Sequence, residues 1–150
     1  RDTYKLTANL KARFEVPKPQ GVRVGATGLF TGTAVEQAND RARVTWRLTF
    51  SNLSGRAMAA HIHAGRVGRA GSVIAALCGP CRTGQRGTTM ISHAQLRTIR
   101  AGRAYVNVHT RKNAAGEIRG QVTAREGTGS GTDSTTTTTE TTQPPPPPYP

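Results

Sequence analysis

Aromatic residues are scarce in this 150-residue chain: Phe, Trp and Tyr make up 5%, and Trp46 is the single tryptophan. Recognition of single-stranded nucleic acid needs such rings interleaved with cations, so a nucleic-acid partner is disfavoured. Acidic residues are few as well. Glu126, Asp133 and Glu140 fall near the end, which leaves Asp2, Glu15, Glu36, Asp40 and Glu117 for residues 1–125. These five give no closely spaced carboxylate pair for acid/base work, and no Ser or Cys stands beside a persuasive base. Gly65, Gly68 and Gly71 lie in a loop with no helix following to cradle a phosphate. An enzyme is therefore not expected. No apolar run reaches the length of a membrane-spanning helix, about 18 residues. Cysteine is limited to Cys78 and Cys81.

Positive charge is plentiful. The formal net charge is +13, and all 21 Lys and Arg residues precede residue 126. Such a field favours anionic partners, an acidic polysaccharide or a cell envelope among them. The arginines are spread out: Arg41, Arg43 and Arg47 alternate along one expected strand, whereas Arg66, Arg69, Arg82 and Arg86 read as loop residues. A solvated Arg-rich face is the plainer reading beside a binding surface.

The hydrophobic pattern has the period of strands. Tyr4, Leu6, Ala8 and Leu10 alternate with polar residues, and Pro17 and Pro19 then break the chain. A Gly-punctuated run over 21–36 reads as one bent strand or two. The clearest strand is 43–50, with Val44, Trp46, Leu48 and Phe50 directed to the core. Shorter strands are expected at 57–63, 73–77, 87–91, 104–110 and 117–124, the last two forming a hairpin. One helix of about ten residues is expected where Ser92 and Gln95 make a capping box, Leu96 and Ile99 share a face and Gly102 ends the run. Many short strands with one small helix predict an all-β, two-sheet antiparallel β-sandwich over 1–125. Residues 126–150 form a separate Gly/Thr/Pro-rich tail, with Pro144–Pro148 as polyproline II. Its Thr135, Thr136, Thr137, Thr138, Thr139, Thr141 and Thr142 are candidates for O-glycosylation, with an unmodified spacer as the alternative. Asn52-Leu53-Ser54 is a formal N-glycosylation sequon.

Three groups of residues carry chemistry. Cys78-Gly-Pro-Cys81 has redox-motif spacing, but the Arg-Thr-Gly-Gln-Arg-Gly that follows cannot open a helix to activate a thiol, so a structural disulfide is expected. An oxidised pair with no other cysteine fits an extracellular protein. His61 and His63, two apart on a strand, project from one face, and His109 lies on another strand beside Asn107. Together they are a candidate ligand set for Zn²⁺ or Cu²⁺, provided that all three converge. The alternative is a hydrogen-bonded polar cluster of Asn107, Glu117 and Arg119, with Glu117 and Arg119 balancing charge. His93 is expected at the surface.

Residues 60–122 resemble the chordin-type (CHRD) domain family. The resemblance rests, in order, on Ala60-His-Ile-His63 with a Gly-containing loop after it, Leu77-Cys-Gly-Pro-Cys81, a short helix, Tyr105-Val-Asn-Val-His-Thr110 and Gly116-Glu-Ile-Arg-Gly-Gln121. It implies an extracellular, β-rich domain without an assigned enzymatic activity. The Arg load and the Thr/Pro tail depart from the family pattern. The leading expectation is a secreted structural or adhesive glycoprotein that self-associates into a fibre or surface layer, with residues 1–10 or the tail completing a neighbour's sheet. The rival expectations are an anionic-glycan-binding module and a His-based metal-binding domain.

Overall fold

A computed structural model describes residues 2–127. The expected O-glycosylation threonines and the rest of the tail from 128 onward lie outside the described residues. The elements run in order as β1 (Thr3–Lys11), a single 3-10 turn (Ala12–Phe14), β2 (Thr27–Gln37), β3 (Arg41–Ser51), β4 (Ala57–Ala64), β5 (Val73–Cys78) and β6 (Gln85–Ser92). After these come α1 (His93–Arg100), β7 (Ala104–Thr110), β8 (Ile118–Gln121) and β9 (Thr123–Gly127).

Every pairing is antiparallel, in the order β5-β4-β7-β8-β1-β2-β3-β6 with β9 also beside β1. This ladder folds over on itself into a nearly closed sandwich. One layer holds β9, β1, β2, β3 and β6, and the other holds β5, β4, β7 and β8. The layers join where the chain breaks at Val122, so that β8 pairs with β7 while β9 crosses to β1.

Strict alternation builds the core. Tyr4, Leu6, Ala8 and Leu10 of β1, with Val44, Trp46 and Leu48 of β3, point inward against Ile62, Val106, Val108 and Ile118 of the other layer. Phe50 is only partly buried at the end of its strand. The helix forms as its cap requires: the Ser92 hydroxyl accepts from the Gln95 N–H, the Gln95 side chain answers the Ser92 N–H, and Leu96 and Ile99 enter the core.

Three expectations need revision, the first being the single strand over 117–124, which breaks at Val122 into β8 beside β7 and β9 beside β1. The run 21–36 contributes one strand, beginning at Thr27, while Val22 and Val24 belong to the preceding loop, Val24 fully exposed. The first strand is no loose segment: β1 pairs with β2 on one flank and with β8 and β9 on the other. Over Thr3–Thr7 its backbone has a partner strand on both flanks, unlike a free edge.

Candidate metal centre

The outer face of the β5-β4-β7-β8 layer is unusual for a sandwich, because it is roofed by loops and carries a second, polar core. Ala60 and Ile62 of β4 face the apolar interior, which sends His61 and His63 outward. On β7, Val106 and Val108 face inward, so Tyr105, Asn107 and His109 join the outer side. The register sets Ala59 opposite His109 and Ala76 opposite His61. Small side chains at those positions leave room for imidazole rings to meet.

The three histidines converge. One ring nitrogen from each lies within 4.8 Å of the other two. His61 Nδ1 is 2.9 Å from His109 Nε2. His63 Nδ1 donates to the Gly71 carbonyl at 2.9 Å, and His109 Nδ1 to the Ala114 carbonyl at 2.8 Å. A carbonyl only accepts, so both rings carry their proton on Nδ1 and keep an Nε2 lone pair, which His109 turns toward His61 Nδ1. Backbone carbonyls fix metal-binding histidines in the same way. His63 is 9% exposed and its buried Nε2 has no hydrogen-bond partner. An unpaired buried acceptor costs free energy unless something fills the position.

Electrostatics agree with this geometry. Burial lowers the pKa of both His61 and His109, and neighbouring histidines push in the same direction. For His109 the bond to Ala114 opposes the shift in part. Both rings therefore stay neutral, as metal ligands must.

Behind His63 the packing is tight. Its ring stacks on Tyr105 with centroids 4.8 Å apart, and the Arg119 guanidinium covers the other face of Tyr105 at 3.4 Å from the centroid. The Tyr105 hydroxyl accepts from the Gly71 N–H at 3.1 Å, which anchors the loop that holds His63. Arg119 and Gln121 tie the same loop down, donating to the carbonyls of Arg66 and Gly65.

The expected cluster of Asn107, Glu117 and Arg119 divides in two. All three are buried. Glu117 directs its carboxylate to Ser54, accepting from its N–H at 2.8 Å and also from its hydroxyl, and to Thr110 and Asn113 at 2.9 and 2.8 Å. Burial alone would raise its pKa, but these donors more than offset that and leave it lowered. Arg119 instead faces Glu15, a residue that no sequence pattern singles out. Glu15 is 3% exposed and sits against Asn107 and Gly116: a Cβ on Gly116, whose φ is 128°, would lie 2.1 Å from Glu15 Oε2.

The remaining candidates fall outside the centre. Cys78 and Cys81 form the expected disulfide. Asn52 is exposed in a left-handed turn with φ of 58°, while the Ser54 hydroxyl of its sequon is held by Glu117. His93 is partly exposed and lies 3.2 Å from Asp40.

The profile of the CHRD domain matches residues 6–122, which is most of the chain and nearly all of the described fold. The chain belongs to the CHRD domain family. Comparison with curated proteins and with solved structures gives no match. All three histidines, the disulfide and the Tyr105–Arg119 stack lie inside the matched region of this CHRD domain. Among the described residues no helix is long and apolar enough to cross a membrane.

Proposed function

We propose that this chain is an extracellular metal-binding domain that takes one Zn²⁺ or Cu²⁺ on His61, His63 and His109. The observation that carries the proposal is the convergence of one ring nitrogen from each of the three histidines, together with the buried, unpartnered Nε2 of His63. In a tetrahedral site with metal–nitrogen bonds of about 2.0–2.1 Å, the ligand nitrogens stand roughly 3.3 Å apart. The cluster brackets that value, with one pair at 2.9 Å and none beyond 4.8 Å. His109 Nε2 offers a lone pair, so the proton in the His61–His109 bond sits on His61 Nδ1 and is displaced when a cation enters. Three imidazoles suit both ions, and the usual affinity order places Cu²⁺ above Zn²⁺. Family membership and the disulfide support an extracellular setting. Three protein ligands leave a fourth position for water or an outside ligand; the proposal is of binding, not of a reaction.

The test is metal retention. Purified full-length chain is stripped with chelator, mixed with excess Cu²⁺ or Zn²⁺, desalted and measured by elemental mass spectrometry. One equivalent is expected for the native chain. His61→Ala, which removes a partly exposed ring and disturbs the packing least, is expected to bind at least about tenfold more weakly, as is His109→Ala. A native chain that retains no metal, or folded variants that retain as much as the native chain, would refute the proposal.

A further inference from the structure

The other layer presents a face of different character. Its inward positions are apolar, so alternation directs the remaining residues of β1, β2, β3, β6 and β9 to solvent. The register arranges them in rows across the strands. One row reads Arg125, Lys5, Thr33, Thr45 and Thr88, and the next reads Thr123, Thr7, Thr31, Arg47 and Arg86. Arg43 and Arg41 continue the β3 margin at every second residue, about 6.7 Å apart. Arg86, expected in a loop, is part of β6 and directly opposite Arg47.

Three features of this face point to a ligand. No outward position on these five strands is Asp or Glu, and Glu36 and Glu126 fall on the opposite parity near Tyr4. Among the described residues none of Lys5, Arg125, Arg41, Arg43, Arg47 and Arg86 forms an ion pair, and the direct opposition of Arg47 and Arg86 is unfavourable until an anion is supplied. The cations form two margins, on β9–β1 and on β3–β6, with a strip of threonine hydroxyls between them. From β1 to β3 is two strand spacings, about 10 Å.

We propose that this face binds a linear anionic polysaccharide. Arginine forks pair carboxylate or sulfate groups at the margins, and the threonine hydroxyls exchange hydrogen bonds with sugar hydroxyls along the middle. The same positions carry no aromatic residue, so bases have nothing to stack on and nucleic acid is the poorer fit. The inference is independent of the histidine cluster, which lies on the other layer.

A labelled polyuronate oligosaccharide titrated with the full-length chain at several salt concentrations tests it. Arg43→Glu/Arg47→Glu is compared with Arg69→Glu/Arg111→Glu, which makes the same change in net charge on exposed loop residues of the other layer. Binding by the native chain is expected to weaken steeply with salt. The strand variant should lose at least about tenfold in affinity and roughly two units of salt slope, with the loop variant within about threefold of native. Circular dichroism and a cooperative urea-unfolding transition show that each variant is folded. Absent binding, or equal losses in both variants, overturns the proposal. So does duplex DNA of matched charge that binds as tightly and loses as much, because the face would then be a generic anion exchanger.

Discussion

Replacing Glu15 with glutamine should make this protein's stability respond to pH in a specific direction. Burial raises the Glu15 pKa from 4.5 to about 7, even though Arg119, the Val16 N–H and Asn107 pull it down. The folded state therefore holds this proton more tightly than the unfolded chain. The resulting stabilisation is complete below about pH 4.5 and is lost as the pH rises through 7. A gap of about 2.5 units at 1.36 kcal/mol per unit amounts to about 3 kcal/mol. Glu15→Gln keeps the shape and removes the titration. The variant's unfolding free energy, relative to native, should rise by about 3 kcal/mol between pH 4 and pH 8. Near pH 4 the native side chain is neutral too, so Arg119 faces an uncharged partner in both proteins and the comparison is like with like. Urea unfolding followed by Trp46 fluorescence, with chelator present, gives the difference at each pH, and the histidines cancel from it. A difference that stays flat with pH, or that falls as pH rises, would show that Arg119 keeps Glu15 ionised and that the burial argument is wrong.

Two further substitutions probe the roof over the histidines. Glu117→Gln replaces a charged acceptor of four hydrogen bonds and should cost about 3 kcal/mol at pH 7 in denaturant unfolding. Because the folded Glu117 pKa is lowered, its stabilisation is present above about 4.5 and lost as pH falls through the folded value, so the variant should also show a flatter acid limb. Gly71→Ala would place a methyl 1.6 Å from the Ala64 carbonyl oxygen. The loop must move, at about 1–3 kcal/mol, and metal affinity should fall about 10–100-fold as His63 loses its orienting carbonyl. Metal retention unchanged in a folded Gly71→Ala chain would show that this carbonyl does not set the His63 ring.

Much of the fold could be read from periodicity, because a two-layer sandwich writes itself into every second residue. β1, β3 and the capped helix are the clearest cases, and His61 with His63 on one face followed from the same rule. The convergence of His109 could not, since it depends on a register across β4 and β7 that no local pattern encodes. Glu15 was hidden for a related reason. It follows a 3-10 turn in a Pro-rich stretch with no alternation to mark an inside, and only the loops folded over β7 and β8 bury it. The pairing of Glu117 with Arg119 looked natural at two-residue spacing, yet each found a better partner from a distant segment. Arg86 falls outside the expected strand because Gly87, a poor strand former, blurs where it starts, whereas β6 begins at Gln85.

Placing the first strand between β2 and β9 has a consequence for how the chain is made. Synthesis delivers β1 more than a hundred residues before β9. Until then the nascent domain exposes a bare strand edge with a dangling row of amide groups, open to mispairing with any other extended chain. Closure of this sheet is thus a late, long-range event, and a chain cut short before Thr123 would keep that edge permanently.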